Sequence, residues 1–200
     1  MFTSAYWDKL YETEVYLFGK EPNQYLKEKL DSVSTGRILF PAEGEGRNAV
    51  YAAQKGWEVT AFDLSEISRQ KALALAKNTS GSIQYIVGSV EEIDIPLDSF
   101  DVLALIFAHF DPHKRSVYHH RLSQYLKKGG TLIMQGFGNG NSIESEHSSN
   151  TNDLYYDLKQ LQEDFSDFEI IEARESKVKM NEGVVLKGES VIISLLAIKK

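Results

Sequence analysis

Cysteine is absent from the 200 residues. That excludes a disulfide framework, a cysteine-based zinc site and a cysteine nucleophile. Long hydrophobic runs are absent too. The longest, from Val102 to Ala108, has seven residues, whereas a membrane span needs about 20. The amino terminus, Met1-Phe2-Thr3-Ser4-Ala5-Tyr6-Trp7-Asp8-Lys9, has no basic segment leading into an apolar one. A soluble, cytoplasmic protein without a membrane partner is therefore expected. No Gly-x-Ser-x-Gly elbow occurs, which argues against serine-hydrolase chemistry. Positive charge is in the minority, with 22 Lys and Arg against 29 Asp and Glu and a net charge of −7. Such a surface repels phosphate backbones, so nucleic acid is not expected as a partner. Arg174, Lys177 and Lys179 lie close together, but Glu172 and Glu175 interrupt them, as on a solvated strand edge.

What is present is ordinary globular composition, 42% hydrophobic and 26% charged, at a length suited to one domain spanning 1–200. Helix and strand patterns alternate. Pro22, Tyr25, Leu26, Lys29, Leu30 and Val33 form a helical stripe with Pro22 as first helical residue, ending an N-terminal helical cap over 1–35. Strands are expected at 37–42, 57–62, 83–87 and 100–107, the last being the most apolar and central. Helices are expected at 47–55, from a Ser65 cap to about Lys77, and from an Asp111-Pro112 start through Val117, Leu122, Tyr125 and Leu126. A fifth strand covers 131–137. Leu154, Leu158, Leu161 and Phe165 make a further helical stripe. The strand-like segments 168–173 and 190–198 should then pair antiparallel. This alternation predicts an α/β fold with a parallel sheet, helices on both faces and a reversed last strand. The polar stretch 138–152 has no periodicity and is too long for an ordinary connection, which makes it a candidate lid loop.

Chemistry is concentrated in Ala42-Glu43-Gly44-Glu45-Gly46-Arg47-Asn48-Ala49, between the first strand and the next helix. Glycines there permit a tight turn and close approach of a ligand, and the following helix start favours anionic groups. Asp63 ends the second strand 19 positions after Gly44, where an acid can accept hydrogen bonds from ribose hydroxyls. The pattern by itself does not separate a nicotinamide dinucleotide from S-adenosylmethionine. The terminal hairpin, however, has no place in a symmetric dinucleotide plan.

The chain resembles the class I S-adenosylmethionine-dependent methyltransferases, most closely small bacterial members of the tellurite-resistance and thiopurine methyltransferase-like kind. The segments that carry the likeness are Trp7-Asp8-Lys9-Leu10-Tyr11, residues 16–23, Glu43-Gly44-Glu45-Gly46-Arg47-Asn48, Phe62-Asp63-Leu64-Ser65 and residues 126–132. The resemblance implies a Rossmann-like sheet of seven strands, mostly parallel with an antiparallel last strand. It also implies S-adenosylmethionine as cofactor and transfer of a methyl group to a small-molecule acceptor. It places the methionine part of the cofactor against Ala42, Glu43, Gly44 and Gly46, the ribose at Asp63, and the adenine by Leu64, Ser89 and Val90. Phe107 and His109 would face the methyl group, and Trp7 and Tyr11 would close over the cofactor. The chain departs from the family at Phe40, where an acid is frequent, and at Ala42, where glycine is. Glu43 is the nearest acid able to compensate.

His109, two residues past the central strand, is the candidate catalytic base, because its unperturbed pKa is about 6.5. A hydrogen-bonded loop histidine is the structural alternative. His109 and His113 have metal-like spacing, but the helix start at Asp111-Pro112 separates them, so no metal site is expected. Two alternatives to a methyltransferase remain at this point. One is a non-catalytic cofactor-binding module acting through a protein partner, and the other is an NAD-dependent oxidoreductase.

Overall fold

Strand β4 (Phe100–Ile106) is buried along nearly its whole length. Val102, Ala104 and Ile106 join the apolar cluster on one face of the sheet, and Leu103 and Leu105 join the cluster on the other. A strand covered on both sides must lie inside a sheet, and β4 does. The computed structural model describes residues 3–77, 79, 81–139 and 155–200. Its sheet contains β1 (Arg37–Pro41), β2 (Glu58–Asp63), β3 (Ile83–Val87), β4, β5 (Leu126–Phe137), β6 (Phe168–Glu182) and β7 (Leu186–Lys199). The spatial order is β3-β2-β1-β4-β5-β7-β6. Pairs among β1 to β5 are parallel, and β7 runs antiparallel to both of its neighbours.

Helices α2 (Gln24–Leu30), α3 (Arg47–Gln54) and α4 (Glu66–Ala76) pack on one face, through Leu26, Ala49 and Ala72 among others. Helices α5 (Arg115–Ser123) and α6 (Leu158–Asp164) cover the other, through Leu122 and Leu161. Helix α1 (Ser4–Tyr11) lies outside this layer. It is tied to the start of α4 where Asp8 Oδ1 accepts from Ser65 Oγ at 2.6 Å. The chain leaves β1 toward β2 and β3, then returns to lay β4 on the opposite side of β1. That reversal opens a crevice at the carboxyl ends of β1 and β4. Among the described residues no helix is long and apolar enough to cross a membrane.

Several boundaries differ from expectation, each for a local reason. Helix α2 starts after Asn23, not at Pro22, because Asn23 Oδ1 accepts from the Leu26 N–H at 3.0 Å and serves as the cap. Helix α5 starts at Arg115, three residues past Pro112. Residues 111–114 instead form a turn closed by the Lys114 N–H on the Asp111 carbonyl at 2.9 Å. Its Val117 faces solvent. Leu126, read as helical, opens β5 opposite Phe100, and a register shift separates that pair from Thr131 opposite Val102. The terminal hairpin is far longer than its apolar parts, pairing from Phe168↔Lys199 out to Glu182↔Leu186. Its outer half is polar, and opposite charges such as Lys179 and Glu189 face each other across it. Leu154 and the candidate lid 138–152, apart from Gly138 and Asn139, lie outside the described residues.

Candidate active site

The chain leaves β1 through a turn whose backbone is left-handed at Ala42 (φ 49), Gly44 (φ 63) and Gly46 (φ 88). At Gly44 an added Cβ would stand 2.8 Å from the Tyr11 hydroxyl. At Gly46 it would stand 2.5 Å from the Ala72 Cβ. The first glycine thus admits Tyr11 of α1, and the second lets α4 pack against the start of α3. Ala42 accepts the strained conformation with a methyl group in place. So does Phe107 (φ 51) at the end of β4. Non-glycine residues in this region cost about 1–3 kcal/mol each and persist where the surroundings hold them, typically at ligand sites.

Asp63 ends β2 and joins two loops. Its Oδ2 accepts from the Gly44 N–H at 3.0 Å and its Oδ1 from the Ser65 N–H at 3.0 Å. The Leu64 N–H adds a third backbone contact, and the two oxygens offer about four acceptor positions in all. Burial raises the Asp63 pKa to about 6, working against these backbone bonds, and Asp8 adds to the rise. Glu43 Oε1 accepts from the Asn48 and Ala49 N–H groups at 2.9 and 2.7 Å, and so caps α3 from outside the helix. Burial pushes its pKa to about 7 despite those bonds and the nearby Arg47. Below the turn, Tyr85 donates to the Gly44 carbonyl at 2.6 Å.

These groups border a cavity of about 620 Å³ at the sheet's crevice. Ala42, Glu43, Gly44, Asp63, Leu64, Ser89, Val90, Phe107, His109, Trp7 and Tyr11 all line it. Gly46 does not. It stands behind the turn as the N-cap of α3. Trp7 and Tyr11 stack with centroids 5.8 Å apart, and Trp7 lies nearly parallel to His109 at 6.2 Å. His109 is in turn nearly parallel to Phe137 at 6.3 Å. Burial, with a smaller push from Arg115, lowers the His109 pKa to about 4. The ring is therefore neutral at physiological pH, the state a proton acceptor needs.

Phe18, Glu45, Arg47, Phe110, Lys114 and Tyr118 also line the cavity; Phe110 is expected beside His109 as an apolar wall, whereas no local pattern marks Phe18, Lys114 or Tyr118. Glu45 and Arg47 stand inside the glycine turn, so their position carried a signal. Phe18 could be placed only through tertiary contact.

Residues 38–130 match the family described as methyltransferase domain. A comparison with curated proteins finds no match. Among solved structures, one from work on the conversion of a disulfide bond into a thioacetal group during echinomycin biosynthesis aligns with a TM-score of 0.78 at 17% identity, over 98% of this chain and 91% of that one. TehB from Haemophilus influenzae aligns at 0.75 and 17% identity, over 98% and 67%. The 1,6-didemethyltoxoflavin-N1-methyltransferase of Burkholderia thailandensis, with 1,6-didemethyltoxoflavin and S-adenosylhomocysteine bound, aligns at 0.62 and 19% identity, over 88% and 75%. The match over residues 38–130 and the sheet order together show a methyltransferase-type domain fold. The match supports S-adenosylmethionine over a nicotinamide dinucleotide as the cofactor.

Proposed function

We propose that this enzyme methylates a small-molecule acceptor seated beside His109. The observation that carries the reading is the cavity itself. One enclosure at the switch point joins the Asp63 and glycine-turn end to an aromatic end at Trp7 and His109. At about 620 Å³ it lies within the 300–1,000 Å³ range of small-ligand sites. The bound small substrate in the Burkholderia relative supports the same class.

The residues fit the cofactor by chemistry. Asp63 borders the cavity as a carboxylate able to accept from ribose hydroxyls. Leu64 and Val90 offer apolar walls to the adenine, with Ser89 at its edge. The turn at Ala42 to Gly44 lies against the methionine part, and Gly46 acts from behind by setting the start of α3. Glu43 is the acid nearest to where Phe40 lacks one, and its carboxyl borders the cavity where an ammonium group would lie. Bound there, S-adenosylmethionine presents a methyl group on a cationic sulfonium. The protein's part is then to hold the acceptor atom in line with that methyl and exclude water. Trp7, Phe107 and His109 form walls suited to this. An acceptor lone pair forms the new bond to carbon while the carbon–sulfur pair stays on sulfur. Where the acceptor carries a proton, His109 is the neutral base that takes it.

A panel of small acceptors, read by release of S-adenosylhomocysteine, tests this reading, and His109→Asn refines it. The variant should lower turnover of a protonated acceptor by about 10²–10⁴-fold. Its affinity for S-adenosylhomocysteine should stay that of the wild type. Unchanged turnover would reduce His109 to a wall of the cavity.

A further inference from the structure

Residues 12–23 join α1 to α2 without helix or strand, as a strap whose Phe18 and Gly19 line the cavity. One residue of this strap, Phe18, is gripped through its backbone from both sides. The Phe18 N–H donates to Glu45 Oε2 at 3.3 Å, and the Phe18 carbonyl accepts from Arg47 Nη1 at 3.0 Å. Glu45 and Arg47 flank Gly46 in the glycine turn. Each is held by an outer ion of opposite charge. Lys71 of α4 places Nζ 2.5 Å from Glu45 Oε1. Glu182, at the end of β6, places Oε2 2.6 Å from Arg47 Nη1.

Both outer ions also reach the strap region. Lys71 donates to the Thr13 and Val15 carbonyls, each at 2.8 Å. Glu182 Oε1 accepts from Asn23 Nδ2 at 3.3 Å. Beside it, the hairpin turn presses on the strap. The Val184 N–H donates to the Leu17 carbonyl at 2.8 Å, and a Cβ on Gly183 would stand 2.2 Å from that oxygen. Neither Lys71 nor Glu182 lines the cavity. The inner side chains are nearly buried, Glu45 at 2% and Arg47 at 7% exposure. A buried charge that loses its partner is strongly disfavoured and turns toward solvent where it can.

We propose that Lys71 and Glu182 are positioning residues for cofactor retention. Acting through Glu45 and Arg47, they clamp the Phe18 backbone and hold the strap over the cavity. This rests on the cavity being the cofactor site. The tip of the β6–β7 hairpin, at the far end of the sequence, thereby sets how fast the cofactor escapes.

The test uses the full chain and S-adenosylhomocysteine as probe. Glu182→Gln should raise the dissociation constant about tenfold or more, the size expected for a weakened charge-assisted contact, mostly through a faster off-rate. The thermal midpoint should fall as Arg47 loses its ionic partner, so the off-rate is read well below it. A merely structural role would lower the midpoint and leave the off-rate alone, and that result overturns the proposal. Lys71→Gln, on the opposite side of the strap, should behave as Glu182→Gln does. Should neither variant fold, the wild type decides: bound S-adenosylhomocysteine should slow tryptic cleavage after Lys20 in the strap, and no protection would contradict the clamp. Wild type that does not bind the probe at all would refute the cofactor site, not the clamp.

Discussion

At the residue scale, Asp63 carries the most weight for its size. One carboxylate fixes the glycine turn through Gly44, fixes the start of α4 through Ser65, and still offers lone pairs to a ligand. Asp63→Ala should therefore weaken S-adenosylhomocysteine binding by about 1.5–3 kcal/mol, the scale of a hydrogen bond to a charged group. Calorimetry reads this directly, and wild-type affinity in the variant would remove Asp63 from the ribose site. The position of Asp63 was legible in the sequence, because a strand, a glycine turn and a fixed spacing define it. The work of Glu43 was not, because an acid in a turn does not announce which N–H groups it will meet. Glu45 and Arg47 were visible but mute. Their partner, the Phe18 backbone, lies far upstream, and only the folded strap brings it to them.

At the element scale, the parallel core β1 to β5 was readable from strand–helix alternation and the terminal hairpin from its two apolar segments. Where elements stop was less legible. Pro22 and Pro112 both look like first-turn prolines, yet side-chain and backbone hydrogen bonds at Asn23 and Asp111 delay each helix. The outer hairpin is held by backbone pairing and facing charges, which leave no apolar period to detect. The capping of α3 by Glu43 makes a pH prediction. Its folded pKa, about 7, lies above the unfolded carboxyl value of about 4.3, so its stabilising contribution is full at acid pH and is lost as pH rises through 7. His109, lowered to about 4 from an unfolded value of about 6.5, works in the opposite sense over part of the same range. The difference between variants isolates the carboxyl. Relative to wild type, Glu43→Gln should gain thermal stability as pH is raised from about 5 to 8. A difference that does not change with pH would mean that Glu43 ionises like an exposed carboxyl.

At the scale of the whole molecule, the order β3-β2-β1-β4-β5-β7-β6 puts the cavity's floor at one edge of the sheet. Turn, Asp63, the segment after β3 and the segment after β4 converge there because parallel strands deliver their carboxyl ends together. The roof is separate, made by α1 and the strap and anchored by α4 and the hairpin tip. The floor could be read from the sequence because its residues are fixed by local motifs. Aromatic residues of the roof could be suspected, but the anchors are long-range contacts that no local pattern encodes. The central claim is that this cavity binds S-adenosylmethionine, and calorimetric titration of the wild-type chain with S-adenosylhomocysteine, with NAD in a parallel titration, tests it most directly. Saturable one-to-one binding of S-adenosylhomocysteine, with NAD bound far more weakly or not at all, is the predicted result. Comparable binding of NAD, or no binding of S-adenosylhomocysteine, would contradict the account.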